Sequence, residues 1–185
     1  MITPAARPLS RTLAMLAAVV ASAATLSIGP LAGSAHAISY APALSTFDSR
    51  LLADINHARS SRGIRTLAVV AGTTDVAHGW SCRLASLHYL AHNPSLGSQL
   101  ESHGSYYWTT YGENVGMTAS TASADSLFRA YMNSPAHRAN ILDRTFRFIG
   151  LWTKGSGGMR WNAMDFVGSA ASSYSYAYGP TRRSC

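Results

Sequence analysis

The sequence has 185 residues, of which 47% are hydrophobic and 12% are charged, and its formal net charge is +7. This composition is typical of a globular domain and excludes a disordered or fibrous chain. All but one of the 15 basic residues are arginine, and they are scattered along the chain. Nucleic-acid-binding proteins usually group their cations on one face with aromatic residues between them, so the pattern argues against a nucleic-acid partner.

The N-terminal segment has the features of a secretory signal. Arg7 and Arg11 precede an uncharged stretch over residues 12–28. The tripeptide Ala35-His36-Ala37 then presents small residues at the two positions that a signal peptidase reads. We predict a signal peptide over 1–37, cleavage after Ala37, and a secreted chain without a stable membrane span. The alternative is an uncleaved anchor, but the stretch is mostly alanine and weakly apolar for a span.

Two cysteines, Cys82 and Cys185, lie in the part of the chain that would be exported. In an oxidising compartment, two cysteines predict one disulfide bond. The same pattern also allows two free thiols or, through Cys185, a bond between two chains. We favour the intramolecular disulfide and expect a monomer.

Apolar spacing predicts two amphipathic helices at the start of the exported chain. The first carries its stripe over residues 44–58 and ends near Gly63. The second carries its stripe over residues 76–90 and begins at Thr73 or Thr74. Asn93-Pro94 ends it, because the residue before a proline is disfavoured in helical dihedral angles.

The second half of the chain combines helices with strands. Residues 95–110 predict a loop before a strand at 111–116, and 121–132 predict a third helix. A short helix follows, with Ser134 as its N-cap and Pro135 at its first position.

A hairpin is predicted next, with strands at 146–153 and 159–167. Helices precede strands without regular alternation, so the predicted fold class is α+β. Residues 169–185 are rich in Ser, Ala and Tyr and predict an irregular C-terminal arm.

Three polar side chains stand out as candidate site residues: His92, Glu113 and His137. Two neutral imidazoles and a carboxylate that meet in a cleft form an open divalent-metal site. His137 lies in the first turn of its helix, where the positive end of the helix dipole disfavours protonation of the ring. His88 lies four residues before His92, on the same face of the predicted helix, and is an additional candidate ligand.

The remaining histidines and the known enzyme motifs indicate no further site. His57, His78 and His103 belong to no such pattern, and we predict surface or capping roles for them. The chain contains neither HExxH nor GxSxG, which argues against a zincin and against a serine-hydrolase nucleophile elbow.

Taken together, the motifs resemble the CAP superfamily, which comprises cysteine-rich secretory proteins, antigen 5 and pathogenesis-related 1 proteins (the SCP domain), in its bacterial form. The resemblance runs from Leu44 to Gly168, and we assign residues 38–168 to this domain. It rests on Asn56-x-x-Arg59-x-x-x-Gly63, Trp80-Ser81, His92-Asn93-Pro94, Gly112-Glu113-Asn114-Val115, Ser134-Pro135-x-His137-Arg138-x-Asn140-Ile141-Leu142 and Asp165-Phe166.

The resemblance implies a three-layer α-β-α sandwich with a central mixed, mainly antiparallel sheet. It also implies a cleft with two histidines and two acidic residues, in which Zn²⁺ or another divalent cation binds weakly. Position by position, His92, Glu113 and His137 match this cleft. The second acid departs from the pattern, because Ser134 stands where many members have glutamate, and Asp125 is the substitute we consider.

Structural roles are the alternative for several of these residues. A buried Glu113 would bond the backbone amides of neighbouring loops, and Asn140 would cap its own turn. Arg138 would pair with a core carboxylate. Asn114 and Ser134 would support the cleft.

The resemblance implies a secreted binding module without enzymatic activity, whose ligand is a lipid, a glycan or a protein. One alternative is a metal-assisted extracellular hydrolase with Glu113 as general base. Another is a cell-wall-associated structural protein, which the basic charge and the C-terminal arm would suit.

Overall fold

A computed structural model of the chain describes residues 44–103, 108–169 and 184–185. The predicted signal peptide and most of the predicted C-terminal arm lie outside these residues. The described part contains, in chain order, α1 (Thr46–Ser60), β1 (Ala68–Val69), α2 (Ala71–Leu87), α3 (Leu96–Ser102), β2 (Trp108–Ala119), α4 (Ala124–Asn133), α5 (Pro135–Leu142), β3 (Phe148–Ser156) and β4 (Met159–Ser169).

The four strands form one mixed sheet in the order β1-β3-β4-β2. β1 pairs with β3 in parallel, whereas β3 with β4 and β2 with β4 are antiparallel. β3 and β4 form the predicted hairpin, and its turn contains Gly157 and Gly158 at φ 60° and 73°, a region that favours glycine. The mixed, mainly antiparallel sheet is therefore confirmed. Two-residue β1 is too short to give a sequence pattern and was not predicted.

Alternate residues of β4 separate the two faces of the sheet. Met164 and Phe166 pack with residues of α1 and α4, while Ala163 and Val167 lie in clusters with residues of α2. Because side chains of a strand alternate between faces, one strand contributes to both cores. The result is the predicted three-layer α-β-α sandwich, with α2 on one side and α1, α4 and α5 on the other.

The first turn of α2 lies directly against the backbone of β3 at Gly150. A Cβ at this position would lie 2.1 Å from the carbonyl carbon of Thr73 and 2.3 Å from the amide nitrogen of Thr74. Both are backbone atoms and do not rotate away. Only glycine permits this spacing between the helix and the sheet.

Arg59 ties α1 to the segment that follows α5. Its side chain is fully buried and donates to four backbone carbonyls, those of Arg65, Ile141, Asp143 and Phe146, at 2.7–2.9 Å. Burying a guanidinium is costly unless its donors are satisfied, and here the carbonyls supply that compensation. The arginine of the first motif is thus a structural residue.

Two helix boundaries differ from the prediction. α2 begins at Ala71 and ends at Leu87, because His88 adopts φ 50° and ψ 37°, which stops the helix. The predicted continuation to Asn93-Pro94 is wrong, so His88 and His92 do not share a helical face. The segment after α2 is held by a bond from the Trp80 indole nitrogen to the carbonyl of Ala91 at 2.9 Å.

The predicted loop over 95–110 contains α3, whose Leu96 and Leu100 are buried four residues apart. β2 begins at Trp108 and is longer than the predicted 111–116. α4 begins at Ala124, with Ser123 as a capping residue that accepts a bond from the Ser126 amide. α5 begins at Pro135 as predicted, although the Ser134 side chain makes no capping bond.

Candidate functional site

Glu113 and His92 form a direct contact between strand β2 and the segment after α2. His92 Nδ1 lies 2.6 Å from Glu113 Oε1, and the Asn93 backbone amide donates to the same oxygen at 2.9 Å. The His92 side chain is 66% exposed, whereas that of Glu113 is 5% exposed. A buried carboxylate therefore holds one edge of an imidazole whose other edge faces solvent. The expected bond from Glu113 to a backbone amide of a neighbouring loop is present.

The electrostatics of Glu113 reflect its burial. Burial raises the pKa of Glu113, and the hydrogen bonds from Asn93 and His92 oppose that rise. Its second oxygen, Oε2, is buried and has no hydrogen-bond partner within the described residues. When Glu113 is ionised, Oε1 can only accept, so Nδ1 then carries the hydrogen of the ring.

Asp165 lies opposite Glu113 on β4 and is a site residue that the sequence reading missed. The two residues are register partners, so their side chains emerge on the same face of the sheet. Asp165 is fully buried, and neither of its carboxyl oxygens has a hydrogen-bond partner in the described part of the chain. Burial and the charge of Glu113 raise the pKa of Asp165 well above its usual range. The protonated form of Asp165 is therefore favoured.

His137 lies at the third position of α5 and is half-buried. Burial lowers its pKa, and the charge of His92 lowers it further. Its ring contacts Tyr131 edge-on, with ring centroids 5.2 Å apart. His137 is thus a neutral imidazole at neutral pH, within electrostatic reach of His92.

Asparagine side chains attach α5 to strand β2. Asn114 Nδ2 donates to the carbonyl of His137 at 3.0 Å. Asn140 Nδ2 donates to the Glu113 carbonyl and to Asn114 Oδ1, at 3.0 and 2.9 Å. The expectation that Asn140 caps its own turn is therefore wrong, because the edge strand supplies its acceptors. Asn114 thus contacts α5 through both atoms of its side-chain amide.

Arg138, Asp125 and His88 lie elsewhere than predicted. Arg138 is exposed and donates to the Met132 carbonyl at 2.9 Å, so it closes the end of α4 and does not pair with a core carboxylate. Asp125 pairs with Arg129 on the surface of α4 and is not the second acid of the cleft. The His88 ring lies near Trp161, with Nε2 3.4 Å from Ser156 Oγ.

The predicted disulfide between Cys82 and Cys185 is present, with Cα atoms 5.6 Å apart. His78 lies beside it, which corrects the expectation that this histidine belongs to no cluster. Among the residues that the structure describes, His78, Cys82 and Cys185 form the one group of three His, Cys, Asp or Glu residues whose ligand atoms all lie within 4.8 Å of one another. His92, Glu113 and His137 do not form such a group.

The comparisons with known proteins decide the family. Residues 52–160, more than half of the chain, match the Cysteine-rich secretory protein family, CAP. The chain belongs to the CAP family. The motifs that carried the resemblance from His92 to Asn140 lie inside the matched range.

Two bacterial proteins are distant relatives of this chain. An uncharacterised protein of Bacillus subtilis, YkwD, is 28% identical over 128 residues, which cover 68% of this chain and 48% of that protein. This CAP chain thus spans about half the length of that relative. An extracellular protein containing a SCP domain from Bacillus anthracis is 25% identical, with a TM-score of 0.55 over 65% of this chain and 40% of that one.

Proteins with low sequence identity to this chain share its fold. An outer surface protein of Borrelia burgdorferi shares 14% identity with this CAP chain, with a TM-score of 0.57 over 66% of this chain and 92% of that one. At this identity the likeness shows the fold alone. Within residues 44–103, 108–169 and 184–185, none of the helices combines the length and the apolar character needed to span a bilayer.

Proposed function

We propose that this CAP protein is exported and serves as a binding module, in which His92 and His137 weakly hold Zn²⁺ or another divalent cation. The observation that carries the proposal is the 2.6 Å contact between His92 Nδ1 and Glu113 Oε1. A carboxylate that accepts from one nitrogen of an imidazole fixes its tautomer and its orientation, and this arrangement recurs around metal-ligating histidines. The other nitrogen, Nε2, keeps its lone pair for a ligand.

The properties of both histidines suit this role. His92 is largely exposed, so Nε2 is accessible from solvent. His137 has a lowered pKa, so its ring keeps a lone pair at neutral pH. Imidazole nitrogen is a preferred ligand of Zn²⁺ and of several other transition metals. A site with two protein ligands and open positions explains why the expected affinity is modest.

Glu113 fits an orienting role better than that of a third ligand. Its Oε1 is engaged by His92 and by the Asn93 amide, and its side chain is nearly inaccessible. The same contacts argue against Glu113 as the general base of a hydrolase, because a base needs access to the proton that it removes. No contact among the described residues favours the hydrolase over the binding module.

Two exposed tyrosines near the site in sequence support the proposed ligand classes. Tyr89 is 68% exposed and Tyr111 is 43% exposed, and they lie three residues before His92 and two before Glu113. Aromatic side chains with a polar end are common in binding surfaces, where they contact apolar and polar groups together. A bound metal would supply a Lewis-acid contact for an oxygen donor. We therefore propose a lipid, glycan or protein partner that contacts these tyrosines.

Export is supported by the N-terminal sequence and by relatives described as extracellular or outer surface proteins. The test is N-terminal sequencing of the protein that is recovered from culture supernatant. We expect a chain that begins at Ile38. Recovery only in membranes, with residues 1–37 intact, would contradict the proposal.

The metal proposal is tested by calorimetric titration of Zn²⁺ into non-reduced protein at neutral pH. We expect binding by the wild type and loss of binding in His92→Ala and in His137→Ala. Glu113→Gln keeps an acceptor for Nδ1–H but loses the charge, so it should bind about 10–100-fold more weakly. Complete loss in Glu113→Gln would instead make Glu113 a direct ligand.

The matched control is His57→Ala, since His57 is exposed on α1 and takes no part in the site. Its titration should equal that of the wild type. Equal binding by wild type, His92→Ala and His137→Ala, or no binding by any of them, would show that the cleft is structural. Binding should also weaken below about pH 6.5, where imidazole becomes protonated.

A further inference from the structure

A second cluster of ligand-type side chains lies on α2, away from the cleft. His78 and Cys82 are four residues apart on this helix, so they emerge on one face of it. Cys185 is brought to the same place by its disulfide with Cys82. His78 Nε2 lies 3.5 Å from Cys82 Sγ and 3.8 Å from Cys185 Sγ.

These distances are compatible with tetrahedral coordination of Zn²⁺ by His78 and the two sulfurs. With Zn–N bonds of about 2.0–2.1 Å and Zn–S bonds of about 2.3 Å, tetrahedral geometry separates a nitrogen ligand from a sulfur ligand by about 3.6 Å and two sulfurs by about 3.8 Å. The two N···S distances already match, and only the sulfur–sulfur bond has to open. We propose that His78, Cys82 and Cys185 form a redox-gated site that binds Zn²⁺ when the disulfide is reduced.

The surroundings of the cluster leave room for a metal and a further ligand. A pocket of about 450 Å³ adjoins it, and the polar part of its lining includes Asp75, Arg83, Gln99 and His103 besides the three proposed ligands. The ring of His78 contacts Trp152 edge-on at 4.8 Å, which fixes its orientation. Burial lowers the pKa of His78, so its nitrogen lone pair is available at neutral pH.

The disulfide controls metal binding because the ligands are thiolates, and a disulfide contains no thiolate. Reduction consumes two equivalents of a low-molecular-weight thiol. The thiolate of the first attacks one sulfur and forms a mixed disulfide, and the second releases it as the oxidised reductant. The two thiol hydrogens end on Cys82 and Cys185, and both leave as protons when Zn²⁺ binds the two thiolates. The oxidised protein therefore has no site, whereas the reduced protein has one.

The experiment uses the full exported chain in a His92→Ala background, so that the cleft does not contribute. The protein is reduced, freed of reductant without oxygen, and titrated with Co²⁺ as a spectroscopic substitute for Zn²⁺, followed by displacement with Zn²⁺. We expect a thiolate-to-metal charge-transfer band that saturates at one equivalent and disappears on adding Zn²⁺. The non-reduced protein should show no band.

Three variants sharpen the test. Cys82→Ser should lose the band, and His78→Gln should lose saturation at one equivalent. His57→Gln should behave as the parent does. Circular dichroism of the reduced protein should retain the helical signal, because the site requires an intact α2. An absent band, equal binding by His78→Gln, or binding by an unfolded reduced chain would each overturn the proposal.

Discussion

Glu113 and Asp165 face each other across β2 and β4 as two buried carboxyl groups, three of whose four oxygens lack a hydrogen-bond partner in the described residues. Two neighbouring carboxylates in a medium of low polarity do not both ionise, because desolvation and mutual repulsion act in the same direction. Glu113 has hydrogen bonds that favour its charge, and Asp165 has none. Protonation is therefore favoured on Asp165 over Glu113.

This pair gives a prediction for stability against pH. The folded-state pKa of Asp165 lies above its unfolded value of about 3.9, so the folded chain retains a proton that the unfolded chain loses. Stability consequently falls as pH rises from the unfolded pKa through the folded one. Asp165→Asn is neutral at every pH and should exceed the wild type in free energy of unfolding by about 1–3 kcal/mol near pH 8, with no gain near pH 4.

Urea unfolding across this pH range measures the effect. Asp125→Asn is the control, because Asp125 lies on the surface of α4 beside Arg129, and its change should stay within about 0.5 kcal/mol. A destabilised Asp165→Asn near pH 8 would mean that Asp165 is ionised and stabilising in the folded protein.

Arg59→Met should lower the free energy of unfolding by roughly 3–5 kcal/mol, because four buried or half-buried carbonyls lose a charged donor. Each such hydrogen bond contributes about 1.5–3 kcal/mol, and the four contributions do not add fully. The free energy of unfolding of Arg59→Lys should lie between those of the wild type and Arg59→Met, since an ammonium cannot reach all four acceptors. Arg50→Met is the matched control, because Arg50 is largely exposed and, among the described residues, pairs with Asp54 on the same helix. Chemical denaturation in which the Arg59 and Arg50 variants lose the same stability would refute the structural role.

Two glycines of β3 provide a matched comparison. Gly150→Ala places a Cβ within 2.1 Å of the α2 backbone. It should lower the free energy of unfolding by about 3 kcal/mol, the upper part of the range for overpacked cores. Gly155→Ala meets nothing within 4 Å and should change stability by less than about 0.5 kcal/mol. Thermal unfolding of both variants gives the answer, and equal melting temperatures would show that α2 adjusts its distance from the sheet freely.

The disulfide should contribute about 2–4 kcal/mol, because it joins residues 103 positions apart and so restricts the unfolded chain. The double variant Cys82→Ser, Cys185→Ser should show this loss in urea unfolding. Alkylation of the wild type without reductant should label no thiol. Labelling of both cysteines would mean that the bond is absent from the protein in solution.

Much of this arrangement could be predicted from local patterns. His92, Glu113 and His137 lie in motifs with recognisable spacing, and the hairpin between β3 and β4 follows from two strand-like runs around glycines. The end of α2 could not be predicted in this way. His88 adopts a positive φ without being glycine, so no residue type marks the stop.

The remaining features depend on contacts between distant parts of the chain. Asp165 is the single acidic residue of its strand, and only the register with Glu113 shows that two acids meet. His78 lies 107 residues from Cys185, and their proximity follows from the tertiary fold and not from spacing. Sequence patterns predict elements, whereas cross-strand pairs and long-range neighbours require the packed structure.

The close contact at Gly150 also restricts the movement of α2. With no gap between the start of α2 and the strand beneath it, the helix cannot slide or tilt without pushing the sheet. His78 stands on this helix, and His92 stands on the segment that leaves its far end. The contact at Gly150 therefore fixes the start of α2, and with it the position of His78, relative to the central strand of the sheet.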